Sequence, residues 1–312
     1  MKPIIAPVEK ELLLQELNSE RFVRLANFGH NEIYIINCHN SPNVLREIGR
    51  LRELTFRNAG GGTGQELDLD HFDTSEHCYD QLLVWNAEDR EIVGGYRFID
   101  CKDVVNEKGE VELATSELFT FSQRFIKEYM PYTIELGRSF VQPDYQPSIN
   151  NRKGIFSLDN LWDGLGALVV DNPGVRYFFG KITMYPSYNK EARDLIHYFM
   201  EHYFPDPDKL IVPINALPYK TDISAFRGIF DGLDYKEGHK VLNQYVRKHN
   251  ENIPPLVNAY MNLSLTMRNF GTAINVDFGA VEETGILVKI EDIYPSKKER
   301  HIATYTPPAR RS

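Results

Sequence analysis

Glu135 and Arg138 interrupt the apolar run from Ile134 to Val141, which ends at the turn Pro143-Asp144-Tyr145. Burying a carboxylate or a guanidinium costs several kcal/mol unless each is paired, so a strand carrying both keeps them for a site or for a fixed ion pair. A carboxylate in that setting has the chemistry of a general base. Upstream stand Glu66, Asp68, Asp70 and Asp73. Facing a cleft, such carboxylates attract and orient an ammonium group. Facing water, they are a solvated acidic turn. The run lacks the glycine and the terminal Glu of a calcium-binding EF-hand loop. Downstream, Arg152-Lys153 directly precede a helix, where added cations suit a phosphate; a solvated basic pair is the alternative.

The elements that position these residues follow from spacing. Ser41-Pro42 offers an N-cap and a first-turn proline, and Val44, Leu45, Ile48 and Leu51 continue at helical period to about Phe56 to Asn58. Gly60-Gly61-Gly62-Thr63-Gly64 then reads as a flexible helix-to-strand loop, since it lacks the Lys-Ser/Thr of a phosphate loop and follows a helix. Gln81 to Trp85 and Ile92 to Ile99 form an apolar hairpin. Leu158, Leu161, Trp162, Leu165, Leu168 and Val169 make a helical stripe with Ser157 as N-cap. Tyr177 to Met184 reads as a strand, Ala192 to Tyr203 as a helix and Lys209 to Ile214 as a strand. The last third is less regular, with a charged segment from Arg227 to His249, a short helix opened by Pro254-Pro255 and a closing strand from Gly285 to Ile290. The expected organisation is an N-terminal arm (1–40), a single α/β (α+β) domain (41–297) and a mobile tail (298–312).

Composition limits the function classes. A chain of 312 residues with 42% hydrophobic and 25% charged residues can bury a substantial core. The formal net charge of -9 disfavours nonspecific nucleic-acid binding, so contact with an anion needs a local basic patch. Cys38, Cys78 and Cys101 are too few and scattered for a disulfide framework or a CxxC zinc site, which points to a reducing compartment; Cys78 and Cys101 are expected to be inert thiols, and no metal is expected. His197 and His202 are five apart, off the i,i+4 spacing of helical zinc ligands. No stretch approaches a membrane span or a signal peptide, and the expectation is cytoplasmic, with peripheral contact at the inner membrane face left open.

The strand ending in Glu-x-x-Arg, the Val141-x-Pro143-x-Tyr145 turn and the following helix resemble the donor-binding core of the GNAT acyltransferase superfamily. More narrowly, the chain is similar to ornithine and glycine N-acyltransferases that take fatty acyl groups from acyl carrier protein. Arg52, Phe56, Asp70, Asp73, Arg97, Glu135 and Arg138 match, in order and approximate spacing, a pattern this group shares with acyl-homoserine lactone synthases. Ile253 to Tyr260, Gly271, Asp277-Phe278 and the closing strand resemble the C-terminal half of the lipid-forming enzymes, once labelled haemolysin-like. The triple glycine stands where lactone synthases carry an aromatic residue, which argues against S-adenosylmethionine. Asn151-Arg152-Lys153-Gly154 replaces the glycine-rich pyrophosphate loop of acetyl-CoA enzymes.

The resemblance implies a GNAT-like fold, a central mixed twisted sheet flanked by helices with a C-terminal elaboration. It implies acylation of an amino acid, glycine ahead of ornithine, with a 3-hydroxy fatty acyl group from acyl carrier protein as the first step of membrane-lipid synthesis. Glu135 and Arg138 would be catalytic, and Arg52, Phe56, Asp70, Asp73 and Arg97 would form the acceptor side. Val141, Arg152 and Lys153 would meet the phosphopantetheine or its carrier. A splayed pair, the Glu135 to Val141 and Tyr177 to Met184 strands, would supply an oxyanion hole. No tightly bound cofactor is implied, the acyl-phosphopantetheine thioester being a co-substrate. The competing readings are an acetyl-CoA-dependent small-amine acetyltransferase and a non-catalytic protein that binds carrier or lipid.

Overall fold

The computed structural model describes residues 1–146 and 153–307. In chain order its helices are α1 (Lys10–Glu16), α2 (Pro42–Asn58), α3 (His71–Thr74), α4 (Gln123–Glu128), α5 (Ser157–Asp171), α6 (Lys190–Tyr203), α7 (Tyr235–Lys248), α8 (Pro255–Met261) and α9 (Pro295–His301). The strands are β1 (Phe22–Leu25), β2 (Glu32–Ile36), β3 (Asp80–Asn86), β4 (Glu91–Asp100) and β5 (Phe119–Phe121), then β6 (Thr133–Val141), β7 (Tyr177–Met184), β8 (Ile211–Pro213), β9 (Arg268–Asn275) and β10 (Val281–Lys289). They gather into two compact units, one drawn from Met1–Asp100, Ile134–Val175 and Tyr294–Ser312, the other from Cys101–Thr133 and Arg176–Ile293.

In the first unit β1, β2, β3, β4 and β6 pair in that order, each antiparallel to the next. Helices cover both faces. Gly164 of α5 packs so closely on Leu82 that a Cβ there would lie 2.6 Å from the leucine. One residue along β3, on the opposite face, Gln81 meets Arg52 of α2. This double cover explains why Leu82 to Trp85 read as a continuous apolar run rather than an alternating one.

Helix α2 begins and ends where its sequence predicts, although its cap has a different origin. Ser41 occupies the N-cap position without a side-chain cap bond. Instead Glu16, at the end of α1, accepts the backbone N–H groups of Asn43 and Val44 at 3.1 and 2.8 Å. A carboxylate is the stronger partner for a helix N-terminus. Ser157 likewise lies inside α5, with Phe156 at the cap position, and its hydroxyl donates to the Tyr145 carbonyl at 3.1 Å.

The triple-glycine loop is tied down. Buried Glu53 on α2 accepts from the N–H groups of Thr63 and Gly64 and from the Thr63 hydroxyl, and it pairs with Arg57. Burial alone would raise its pKa, but the Arg57 guanidinium and those donors hold it below the usual range. Where the sequence suggests a tail after Lys297, α9 runs to His301 instead. Buried His301 bonds Asp163 of α5 at 2.7 Å, and Gly166 lets the helices touch, since a Cβ there would lie 2.0 Å from the His301 carbonyl oxygen.

In the second unit β7, β10 and β9 form an antiparallel sheet, and β5 pairs with β8. Helix α6 buries Ala192, Leu195, Ile196, Phe199 and Met200, the stripe its sequence predicts. Helix α7 occupies the charged segment that lacks an obvious pattern, started by a reciprocal capping box between Asp234 and Glu237. Strand β10 begins earlier than its apolar residues suggest, because Glu282 and Glu283 are buried in it with cationic partners: Arg193 and Lys220 on Glu282, Lys181 on Glu283. Among the described residues, no helix is long and apolar enough to cross a membrane.

Strands β4 and β6 approach unusually closely at Gly94, where a Cβ would lie 2.3 Å from the Phe140 carbonyl oxygen. Gly94→Ala must push the strands apart and is expected to cost about 1–3 kcal/mol, as overpacking does. Urea unfolding measures it; an unchanged midpoint would show that the two strands are not held this close.

Candidate functional site

The pairing register of the first unit builds the site in rows. Gln81 lies opposite Arg97, and Arg97 opposite Gly137, so these three share one face of β3, β4 and β6. Gly137 leaves room for the Arg97 side chain, whose Nε would lie 3.4 Å from a Cβ at that position. Two residues along each strand in the same direction come Tyr79, Ile99 and Glu135, with Ile99 paired to Glu135. The Tyr79 hydroxyl reaches across Ile99 to donate a hydrogen bond to Glu135, and both side chains are buried. Tyr79 also lies under the Arg97 guanidinium, 5.2 Å from ring centroid to Cζ.

Above these rows Asp73 is the hub. Its Oδ1 accepts from Arg52 Nη1 and Gln81 Nε2, each at 3.0 Å, and its Oδ2 accepts from Arg97 Nη1 at 3.1 Å. Arg52 and Asp73 are 0% exposed. Asp70 caps the short helix α3, with Asp73 bonding back to its N–H, and accepts from Arg97 Nη1 at 2.8 Å through both oxygens. Phe56 sits one helical turn from Arg52 and is buried on α2.

Arg138 approaches from β6 through a bulge. Gly95 pairs with Phe140 and Arg97 with Gly137, so Arg138 and Ser139 stand opposite the single residue Tyr96. Arg138 has φ 47, the left-handed region that costs a non-glycine residue energy, and the bulge turns its guanidinium to Asp68 at 3.0 Å and Asp70 at 3.6 Å. The backbone strain is local to the residue that bears the charge.

The carboxylates are driven in opposite directions. Burial pushes Asp68 up, and Arg138 and Arg52 offset this only in part. Burial would do the same to Asp73, but the Arg52 and Arg97 guanidiniums reverse it and hold that carboxyl far below its ordinary value. Burial disfavours the Arg97 charge, and Asp73 and Asp70 more than restore it. Such separation between neighbouring acids recurs where proton transfer or cation binding is performed.

The structure brings Arg52, Phe56, Asp70, Asp73, Arg97, Glu135 and Arg138 into one unit, with direct bonds linking the acidic run to Arg52, Arg97 and Arg138. Asp68 and Asp73 of the run are therefore buried and paired, Asp70 is paired and partly exposed, and Glu66 is exposed. Asp68, one of the acids of that run, belongs to the same cluster. Tyr79 and Gln81 belong to it too, although an uncharged Tyr or Gln at the start of an apolar strand carries no distinguishing signal. Val141 pairs with Gly94 beyond the bulge. Lys153 is bonded to Asp89 at 2.8 Å and lies over the Tyr145 ring at 4.6 Å, with its side chain 41% exposed. Arg152 lies outside the described residues.

Two curated proteins are similar over nearly the whole chain. The glycine N(alpha)-acyltransferase of Phocaeicola vulgatus is 54% identical over 98% of this chain and 94% of its own length. That of Bacteroides thetaiotaomicron is 56% identical over 98% and 91%. An acetyltransferase (GNAT) domain model matches residues 51–151, the segment holding all the cluster residues just described. Among solved structures, the acyl-homoserine lactone synthase LasI has a TM-score of 0.43 at 10% identity, covering 91% of this chain and all of its own. FeeM, an N-acyl amino acid synthase from uncultured soil microbes, has a TM-score of 0.39 at 10% identity, covering 91% of this chain and 99% of its own.

Asp73→Asn leaves Arg52 and Arg97 buried without their shared carboxylate and is expected to cost about 3–5 kcal/mol. Because the folded pKa of Asp73 lies below its unfolded value of about 3.9, its contribution is complete above that pH and is lost as pH falls through and below it. Urea titrations at pH 7 and pH 3 should therefore show a smaller acid-induced loss for the variant than for the wild type. Equal losses would remove Asp73 from the hub.

Proposed function

The chain belongs to the glycine N(alpha)-acyltransferase family, and from that premise we propose that it transfers a 3-hydroxy fatty acyl group from acyl carrier protein to the amino group of glycine. Ornithine is the next candidate acceptor, and the product would be the first intermediate of an amino-acid-containing membrane lipid. The enzyme class, an N-acyltransferase, follows from the family itself. The observation carrying the finer reading is Glu135, a buried carboxylate held by Tyr79 on the sheet face that also carries the Asp73 hub.

An amino acid is mostly an ammonium ion at neutral pH and cannot attack a thioester in that form. Glu135, directly or through one water, takes a proton from it; the freed amine attacks the thioester carbonyl. The new N–C bond forms, the C–S bond breaks, and the departing thiolate takes up the second proton lost by the nitrogen, leaving as the phosphopantetheine thiol. Tyr79 fixes the carboxylate in one orientation, so less freedom is lost when the amine arrives. Asp70, the half-exposed acid of the hub, offers the charge to attract an ammonium group, while Arg52, Arg97 and Arg138 keep the acids in place. The bulge at Arg138-Ser139 takes a backbone unit out of the ladder register beside this face, and such a unit can supply an N–H to a developing oxyanion. Val141, Lys153 and Arg152 are assigned to the donor side, the two cations meeting the phosphate or an acidic carrier.

Purified protein incubated with acyl carrier proteins of several chain lengths, with the matching acyl-CoA thioesters, and with a panel of amino acids tests the reading by mass spectrometry. N-acylglycine formed preferentially from the carrier-bound thioester is expected; efficient turnover with acetyl-CoA alone would replace the donor assignment.

Glu135→Gln should lower kcat by about 10²- to 10⁴-fold with the thermal midpoint nearly kept, as loss of a general base does. Tyr79→Phe, which keeps the ring under Arg97 and removes only the hydroxyl, should lower kcat by roughly tenfold with a small change in KM. Wild-type turnover in the Gln variant would move the base elsewhere.

A further inference from the structure

Cysteines that look scattered in sequence meet in space. Strands β2 and β3 pair Ile36 with Gln81, and just beyond that end Cys38 and Cys78 bring their Sγ atoms to 2.9 Å. His39 adds a third potential ligand, and one ligand atom from each residue falls within 4.8 Å of the others. Among the described residues this is the cluster of His, Cys, Asp and Glu with metal-ligating spacing. Both sulfurs are half-buried and His39 is exposed.

From this constellation we propose that Cys38, Cys78 and His39 form a binding site for a thiophilic divalent cation of the zinc type. Two thiolates and an imidazole are the donor set that borderline-soft cations prefer, and three protein ligands leave one tetrahedral position for water. Zinc–sulfur bonds of about 2.3 Å set at the tetrahedral angle place two sulfurs roughly 3.8 Å apart. From 2.9 Å the pair would therefore open by roughly 0.9 Å, which small side-chain rotations supply. His39 Nε2 lies 3.0 Å from the Glu76 carbonyl oxygen. Donating to that oxygen leaves Nδ1 with the lone pair a metal needs, the usual outer contact of a ligating histidine. A bound cation displaces one proton from each thiol as it binds.

The place of the site in the fold gives it a purpose. Cys78 immediately precedes Tyr79, and Cys38 donates to the Ser75 carbonyl at the end of α3, the helix that carries Asp73. A bound cation would fasten the end of β2 to the short segment Ser75–Cys78. That segment joins the hub acid to the tyrosine that holds Glu135.

Full-length protein stripped with a chelator under reductant is titrated with Co(II), then with Zn(II). One equivalent of cobalt should give thiolate-to-metal charge transfer and tetrahedral d–d bands, both removed by zinc. Cys38→Ser and Cys78→Ser should each abolish the charge-transfer band, His39→Gln should weaken cobalt binding at least tenfold, and Cys101→Ser should change nothing. In the unaltered protein, zinc should slow alkylation of Cys38 and Cys78, read by peptide mass spectrometry, so a poorly folding variant does not decide the matter. Absence of a charge-transfer band at stoichiometric cobalt overturns the proposal. So does a Cys38–Cys78 disulfide whose reduction restores no metal uptake.

Discussion

Asp73, locked between Arg52 and Arg97 with no exposure to water, is the interaction on which the first unit turns. One carboxylate joins helix α2, strand β4 and, through Gln81, strand β3. Charges buried at this depth are stable only as a complete set, because removing one leaves the others desolvated and unmatched. The geometry around Asp73 thus serves two ends. It holds α3 against the sheet, and it fixes Arg97 over the tyrosine that meets Glu135.

A second constraint is the cost of placing Arg138. The bulge and the positive φ aim its guanidinium at Asp68 and Asp70 instead of along the regular pleat. Glu135 keeps a normal ladder position opposite Ile99, while the residue three along is displaced from register. One strand therefore carries a carboxylate held by the sheet and a cation held by the departure from it. Their separation in role would be impossible on an unbroken strand with side chains alternating at fixed period.

The sequence displayed the charged members of this cluster because charge in an apolar context is conspicuous, and because Arg52, Asp70, Asp73, Arg97, Glu135 and Arg138 keep a shared order. It also displayed α2, the β3–β4 hairpin, β7 and α6, whose hydrophobic periods are strong. What stayed hidden depends on partners distant along the chain. Nothing near Ser41 announces that Glu16 caps its helix, nothing near the glycines announces Glu53, and nothing near Cys38 announces Cys78. Tyr79 and Gln81 carry no signal for a related reason, since their importance lies in which strand runs beside them. Helix α7 was concealed by its polar surface, and α9 by its place at a terminus, where lack of hydrophobic pattern resembles lack of structure.

The carboxylate that Glu16 extends to the first turn of α2 bears on how the protein is made. The N-terminal arm leaves the ribosome before α2 exists, so for a time it has nothing to bind. Helix α2, once emerged, meets an anchor that was synthesised earlier, whereas the partners of Arg52, Asp73 and Gln81, follow it in the chain. Order in the acid–guanidinium cluster is then a late event in biosynthesis, waiting on strands still inside the exit tunnel when the arm first appears.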